Sequence, residues 1–334
     1  MRQLAAFTAA IISVTALARE PELPVPLITG LNLPTSVAIQ PETEVVFVAE
    51  SGQGRVLRLI DGLLQPVITD FPVVPLLDYP GVKLGPVGLL FLSKEILLVS
   101  CRLSADDTPL IRVYRVPEDS SSIRYEAALS QHSLGPLEDR LDLPAHSMAM
   151  TATAERVYYT VMSDTKTGRI IHSDRSGDDI SELRSWIDRE QSSQQWRPSG
   201  ISISPHGYLV VSTVGDWGEQ SDSRLAFFEL SSKRKALELE TGLNDVIAVL
   251  YSNRKQLYLL DMALSNPSSG GLYRSLADPA NPSGMIVKPI AALDHPTSMI
   301  FDSQGTLLIT TWGRMGTEQP PQGALWQLSR DAGL

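Results

Sequence analysis

Pro34-Thr35-Ser36-Val37-Ala38-Ile39 reads as one short strand: a proline that opens it, two small hydroxyl residues, then an apolar run. The pattern returns as Pro86-Val87-Gly88-Leu89-Leu90-Phe91 and as Ala145-His146-Ser147-Met148-Ala149-Met150. Pro198-Ser199-Gly200-Ile201-Ser202-Ile203, Asn244-Asp245-Val246-Ile247-Ala248-Val249 and Pro296-Thr297-Ser298-Met299-Ile300-Phe301 continue it. The second residues of these six segments lie 52, 59, 53, 46 and 52 positions apart. That period is close to the roughly 40–50 residues of a four-stranded propeller blade.

The segments between the copies fit the rest of a blade. Pro205-His206-Gly207 precedes Tyr208-Leu209-Val210-Val211, and Ser303-Gln304-Gly305 precedes Thr306-Leu307-Leu308-Ile309. Both read as hairpins with polar or glycine tips. A third strand comes next, as in Arg55-Val56-Leu57-Arg58-Leu59 or Ala324-Leu325-Trp326-Gln327-Leu328. A more polar outer strand comes last, as in Ala236-Leu237-Glu238-Leu239-Glu240. The sixth copy has no room for its outer strand before Leu334, but the other end of the chain holds a match. Leu27-Ile28-Thr29-Gly30-Leu31-Asn32 resembles Leu239-Glu240-Thr241-Gly242-Leu243-Asn244, an outer strand running into an inner one. The expected fold is all-β, a six-bladed β-propeller whose N-terminal strand completes the last blade and leaves no open edge at the seam.

Leu4 to Val14 is an almost unbroken apolar or small run after Arg2, and Ala16-Leu17-Ala18 fits a small-x-small cleavage site. Residues 1–18 are therefore expected to be a signal peptide and 19–334 a single propeller domain. Its blades begin near 34, 86, 145, 198, 244 and 296, and residues 23–31 close blade six. The expected location is the periplasm or the extracellular space, with no integral membrane segment after cleavage. The alternative is a leader retained as an anchor. The formal charge of −10 makes nucleic acid a poor partner. Cys101 is the single cysteine, so no intrachain disulfide forms, and at the end of Ile96-Leu97-Leu98-Val99 it reads as a small buried hydrophobe.

Ala49-Glu50-Ser51-Gly52-Gln53-Gly54-Arg55-Val56 resembles the Ala-Asp-x-x-Asn-x-Arg-Ile segment of NHL repeats. The whole layout is similar to six-bladed propellers of the TolB-like group. That group includes NHL proteins, gluconolactonase/SMP-30 lactonases and soluble quinoprotein sugar dehydrogenases. The resemblance implies the fold and leaves the activity open, because such scaffolds host many chemistries.

The topology gathers loops at one mouth of the central channel, where a propeller ligand is expected. The inner-strand ring there reads Thr35, Val87, His146, Ser199, Asp245 and Thr297. Ends of second strands add Glu50, Arg102, Asp164, Asp216 with Trp217, Asp261 and Trp312. His146 and Asp245 are the candidate catalytic residues. A histidine at a channel mouth suits proton transfer or metal ligation, or else fills space as a hydrogen-bonded side chain. Asp245 among other carboxylates points to a cation or a raised pKa. Thr35, Arg102, Ser199, Trp217, Thr297 and Trp312 are the candidate ligand contacts. Asp245, Asp164 and Glu50 are the candidate metal ligands, although Glu50 and Asp164 also fit as braces of the next turn. The two tryptophans fit equally as covers of the core. His295 is a secondary candidate, whereas His172 and His206 read as surface residues.

Three functions compete. One is a binding module for a small molecule, glycan or peptide at the channel mouth. A metal-dependent lactonase-like hydrolase is the second. In such lactonases a divalent cation is held by Glu, Asn and Asp. Here Pro34-Thr35-Ser36 lacks the Glu, Ser199 stands for the Asn, and Asp245 matches the Asp. The third is a quinoprotein sugar dehydrogenase-like enzyme, with His146 as base, Arg102 or Arg197 as cationic partner, and Ca²⁺ beside pyrroloquinoline quinone (PQQ). No stretch of the chain carries that family's quinone motifs. One divalent cation, Ca²⁺, is the cofactor the enzyme readings share. No Gly-x-Ser-x-Gly elbow, Walker A loop or His-Glu-x-x-His is present.

Overall fold

A computed structural model describes residues 23–75, 82–101, 110–133, 145–163, 168–187, 196–215, 221–264, 266–281, 283–313 and 322–329. Six blade sheets, each built on an antiparallel meander, succeed one another along the described residues. Blade one runs from its inner strand Pro34–Ile39 through Val46–Glu50 and Arg55–Ile60 to Leu63–Thr69. The later inner strands are Pro86–Phe91, Ala145–Ala152, Pro198–Ile203, Val246–Tyr251 and Pro296–Phe301. Each touches the inner strands of the two neighbouring blades, so the ring is complete. Blade one carries an extra outer strand, Ile123–Arg124, which pairs parallel to Leu63–Thr69 and covers its edge.

The N-terminal strand Val25–Leu31 pairs with Gly323–Leu328 and completes blade six. The likeness between the two outer-strand sequences has a backbone cause. Gly30 and Gly242 both hold left-handed φ angles, +80° and +70°, which L side chains rarely adopt. The leucine after each glycine, Leu31 or Leu243, is buried between blades.

A bulge interrupts every inner strand, for example between Pro34 and Ser36 and between Val246 and Ala248. It occurs at the same place in blades two, four and six, whereas in blade three it lies later, between Ser147 and Met150, so that Ser147 rather than Ala145 takes the place of Pro34 and His146 precedes the ring position of Thr35. Hydroxyl side chains of the second strands satisfy amides freed there: Ser100 Oγ accepts from Gly88 N–H (2.8 Å) and Ser212 Oγ from Gly200 N–H (2.9 Å). Pairing also fixes the blade register. Pro34 faces Glu50 and Pro296 faces Thr311, while in blade five it is Val246 that faces Asp261. The fifth inner strand therefore begins at Val246, two residues later than the sequence pattern places it. Ile247, not Asp245, is the residue equivalent to Thr35 and Thr297. Blade five has no proline to mark the start, so the polar pair Asn244-Asp245 takes its place in the pattern.

Apolar clusters fill the wedges between blades. Phe47, Leu97, Tyr114 and Phe71 pack between blades one and two, and Tyr158, Trp186, Leu209 and Phe228 between three and four. Cys101 lies in the first wedge, where burial pushes its thiol up to about 12, the behaviour of a packing residue rather than a nucleophile.

Candidate functional site

The six inner strands enclose a channel cavity of about 340 Å³, walled by residues of all six blades. At the end where the strands begin, Val87, Met162, Ile247, Met262, Leu264 and Trp312 form the wall. All six belong to or pack against one apolar cluster. Among the described residues that line the cavity, Arg197 is the one ionisable residue. The described wall is mainly apolar, with Thr35, Ser36, Thr151, Ser202, Thr297 and Ser298 also lining it, where the sequence pattern expects a carboxylate-rich mouth.

The ring hydroxyls are engaged in holding the blades together. Thr35 Oγ1 donates to the carbonyl of Pro86 (3.0 Å), Ser199 Oγ to that of Val246 (2.6 Å), and Thr297 Oγ1 to that of Pro34 (2.8 Å). Each bond runs from the second residue of one inner strand to the first residue of the next, across the blade junction. Thr35 and Thr297 line the cavity by their position, yet their hydroxyls are directed into the wall.

In blades one, four, five and six the residue just before the inner strand forms the rim. Its carbonyl accepts the amide of the residue after the second strand: Leu33 from Ser51, Arg197 from Val214, Asp245 from Met262 and His295 from Trp312. Arg197, Asp245 and His295 are consecutive rim residues on blades four, five and six, and all are buried. The Arg197 guanidinium donates to the Gly215 carbonyl (3.1 Å). His295 Nδ1 lies 2.9 Å from the Gly313 carbonyl, a bond that fixes the ring at the rim. Asp245 Oδ2 accepts the Leu264 amide (2.8 Å).

Burial pushes the Asp245 carboxyl up to about 7. The Leu264 amide opposes that shift, Asp261 and Asp222 add to it by repulsion, and Arg197 opposes it. Asp245 is 3% exposed and is not among the residues that line the cavity. Burial likewise raises Asp261, whose oxygens accept the amides of Asn244 (3.0 Å), Asp245 (2.7 Å) and Ala263 (3.1 Å). Glu50 occupies the same place in blade one. It accepts the Asn32 amide (2.9 Å) and pairs with Arg55. Glu50 and Asp261 are therefore turn braces, and sequence reasoning places Asp261 only as a channel-mouth carboxylate.

The remaining candidates are scattered. Arg102, Asp164 and Trp217 lie outside the described residues, and for His146 the backbone alone is described, paired with Met162. Trp312 lines the cavity with 6% of its surface exposed. His206 is exposed in its turn, but His172 is buried at 8% exposure rather than on the surface. Arg197, read in the sequence as a possible cationic partner of a quinone, lines the cavity, while the pattern misses the methionines Met162 and Met262.

A divalent cation needs several oxygen ligands around one point. Among the described residues no group of three or more His, Cys, Asp or Glu side chains is placed to hold one. Glu50, Asp245 and Asp261 already spend carboxylate oxygens on backbone amides. The described residues thus do not assemble a Ca²⁺ site.

No protein family and no curated protein matches the sequence. Solved structures do match the fold. A gluconolactonase from Xanthomonas campestris is 13% identical, with 91% of this chain and 88% of that one covered and a TM-score of 0.56. The calcium-binding regucalcin of Agrobacterium tumefaciens is 13% identical over 91% of this chain and 92% of its own (TM-score 0.57). The PQQ-bound aldose sugar dehydrogenase of Streptomyces coelicolor is 12% identical over 92% and 97% (TM-score 0.59). At these identities the likeness is one of fold: the chain is a six-bladed β-propeller with the architecture shared by gluconolactonase-like and quinoprotein dehydrogenase propellers.

Proposed function

We propose that the protein is an exported binding propeller that takes a small molecule into its central channel. The observation that carries this reading is the cavity of about 340 Å³ walled by all six inner strands. Its size falls within the roughly 300–1,000 Å³ of small-molecule sites. Interblade hydroxyl bonds and close packing fix the wall, so a ligand meets a preformed surface and little ordering opposes binding. Export rests on the leader read in residues 1–18, which supports a mature protein in the periplasm or outside the cell. The acidic charge argues against nucleic acid as the ligand.

A thermal-shift screen of small molecules on wild type and on Val87→Phe tests the reading, because a phenyl ring at position 87 fills the channel. Compounds that raise the melting temperature of the wild type and lose that effect in the variant are expected. A broad library in which every hit stabilises both proteins equally would refute the channel as the site. Lactonase-like and quinoprotein-like turnover stay as alternatives carried by the likeness of fold, and metal analysis of the purified protein addresses both. About one Ca²⁺ per chain would bring them forward.

A further inference from the structure

At blade five the channel wall comes from a short strap, Met262-Ala263-Leu264, that follows the strand Leu257–Asp261. Met262 and Leu264 both line the cavity, and both belong to or pack against the apolar cluster around it. Ala263 between them is fully buried and holds a left-handed φ of +46°, which L side chains rarely adopt. Gly313 takes the equivalent place in blade six, at φ +75°. The strap therefore has a shape that its own sequence disfavours, and its surroundings must impose it.

Two aspartates do so. Met262 N–H donates to the Asp245 carbonyl (2.9 Å), Ala263 N–H to Asp261 Oδ1 (3.1 Å) and Leu264 N–H to Asp245 Oδ2 (2.8 Å). Asp261 Oδ1 also accepts the Asp245 amide (2.7 Å), which joins both aspartates and the strap in one buried network. Blade one holds the same turn differently. There Ser51 N–H donates to the Leu33 carbonyl (3.2 Å) and Gly52 N–H to that of Asn32 (3.1 Å), so backbone carbonyls take both amides. A glycine stands where blade five has Ala263, and the rim residue Leu33 has no side-chain acceptor to offer. Neither Ser51 nor Gly52 lines the cavity. Of the two turns, the one that walls the channel is the one tied by the side chain of its rim residue.

We infer that Asp245 is a positioning residue of the channel: its carboxyl ties down the Met262–Leu264 strap and so sets the shape of the wall that a ligand meets at blade five. Without that bond the Leu264 N–H loses its acceptor, and the strap is free to leave the left-handed turn, carrying Met262 and Leu264 with it. This role in binding rests on the channel being the ligand site, whereas the hold on the strap does not.

The test uses the full mature protein with isotope-labelled methionine methyl groups, read by NMR, and benzene as the channel probe. The Met262 signal is identified by its loss in Met262→Leu. In Asp245→Ala that signal should move toward the position of an unstructured methionine before any probe is added, and benzene should bind about tenfold more weakly than to wild type. Asp245→Asn keeps an oxygen for the Leu264 amide, so it should hold the Met262 signal in place and benzene affinity within about twofold of wild type. Glu50→Ala removes a brace from a turn that does not line the cavity, and should leave both readings unchanged. An unmoved Met262 signal in Asp245→Ala, or the same movement in Asp245→Asn or Glu50→Ala, would overturn the positioning role. Should Asp245→Ala fail to fold, the wild type still answers. Its Leu264 amide should exchange with deuterated water at least about a hundredfold more slowly than a free amide, and unprotected exchange would overturn the tie. Benzene that binds none of the proteins, while the methyl signals behave as expected, would count against the channel as a binding site and leave the hold of Asp245 on the strap standing.

Discussion

Asp245→Asn is the substitution whose effect the structure fixes most closely. In the fold the carboxyl keeps its proton up to about pH 7, while in the unfolded chain it ionises near its ordinary value of 3.8. Between those values the folded state holds more protons than the unfolded one, so this group's contribution to stability falls as pH rises. It is favourable below about pH 4 and levels off at its least favourable above pH 7. A gap of about three pH units at about 1.36 kcal/mol each amounts to about 4 kcal/mol in total, of which about 2–3 kcal/mol falls between pH 5 and pH 8. Asparagine offers a neutral oxygen to the Leu264 amide and has no charge to bury. The stability of the variant relative to wild type should therefore grow by about 2–3 kcal/mol from pH 5 to pH 8. For 334 residues at about 2.1 cal/mol/K each, that is a relative gain of about 4 °C in melting temperature. Differential scanning calorimetry at the two pH values reads it directly. Parallel pH dependence of the two proteins would refute the claim that Asp245 is buried with its proton.

Two other substitutions separate bracing from ligand contact. Glu50→Ala removes the acceptor of the half-buried Asn32 amide and the partner of Arg55, and should cost about 1–3 kcal/mol in urea unfolding while ligand affinity stays as in wild type. An unchanged unfolding midpoint would show that the brace contributes nothing. Thr297→Val removes the hydroxyl that joins blade six to the Pro34 carbonyl of blade one and should cost a similar amount, about 1–3 kcal/mol. If it weakens a channel ligand without lowering the midpoint, Thr297 is a ligand contact rather than a clasp.

Much of the fold is legible because a propeller writes its period into the chain. The match of Leu27–Asn32 to Leu239–Asn244 reflects two glycines that must take left-handed φ at the ends of outer strands, and it locates the closing strand without any knowledge of the pairing. The same match holds the correction to blade five. Aligning Asn32 with Asn244 puts Pro34 opposite Val246, the register found in the structure, while the Pro-small pattern alone draws the strand start two residues early. That slip moves a carboxylate into the channel ring. The ring hydroxyls are harder to read, because a Thr or Ser facing an axis and one bonding a neighbouring blade have the same sequence signature. Their partners lie about a blade away, as with Thr35 and Pro86, or at the far end of the chain, as with Thr297 and Pro34. The cavity wall is illegible for a related reason. Met162, Met262 and Trp312 come from the ends of second strands on three different blades and meet only when the ring closes.

Xenon diffraction tests the central claim, that an apolar channel on the propeller axis is a binding site. Crystals of the mature protein pressurised with xenon should show an atom bounded by Val87, Met162, Ile247 and Trp312, because xenon enters apolar cavities that water leaves empty. Xenon at that position, lost in Val87→Phe, is the predicted result. A chain of ordered waters filling the axis, with xenon absent from it, would contradict the account.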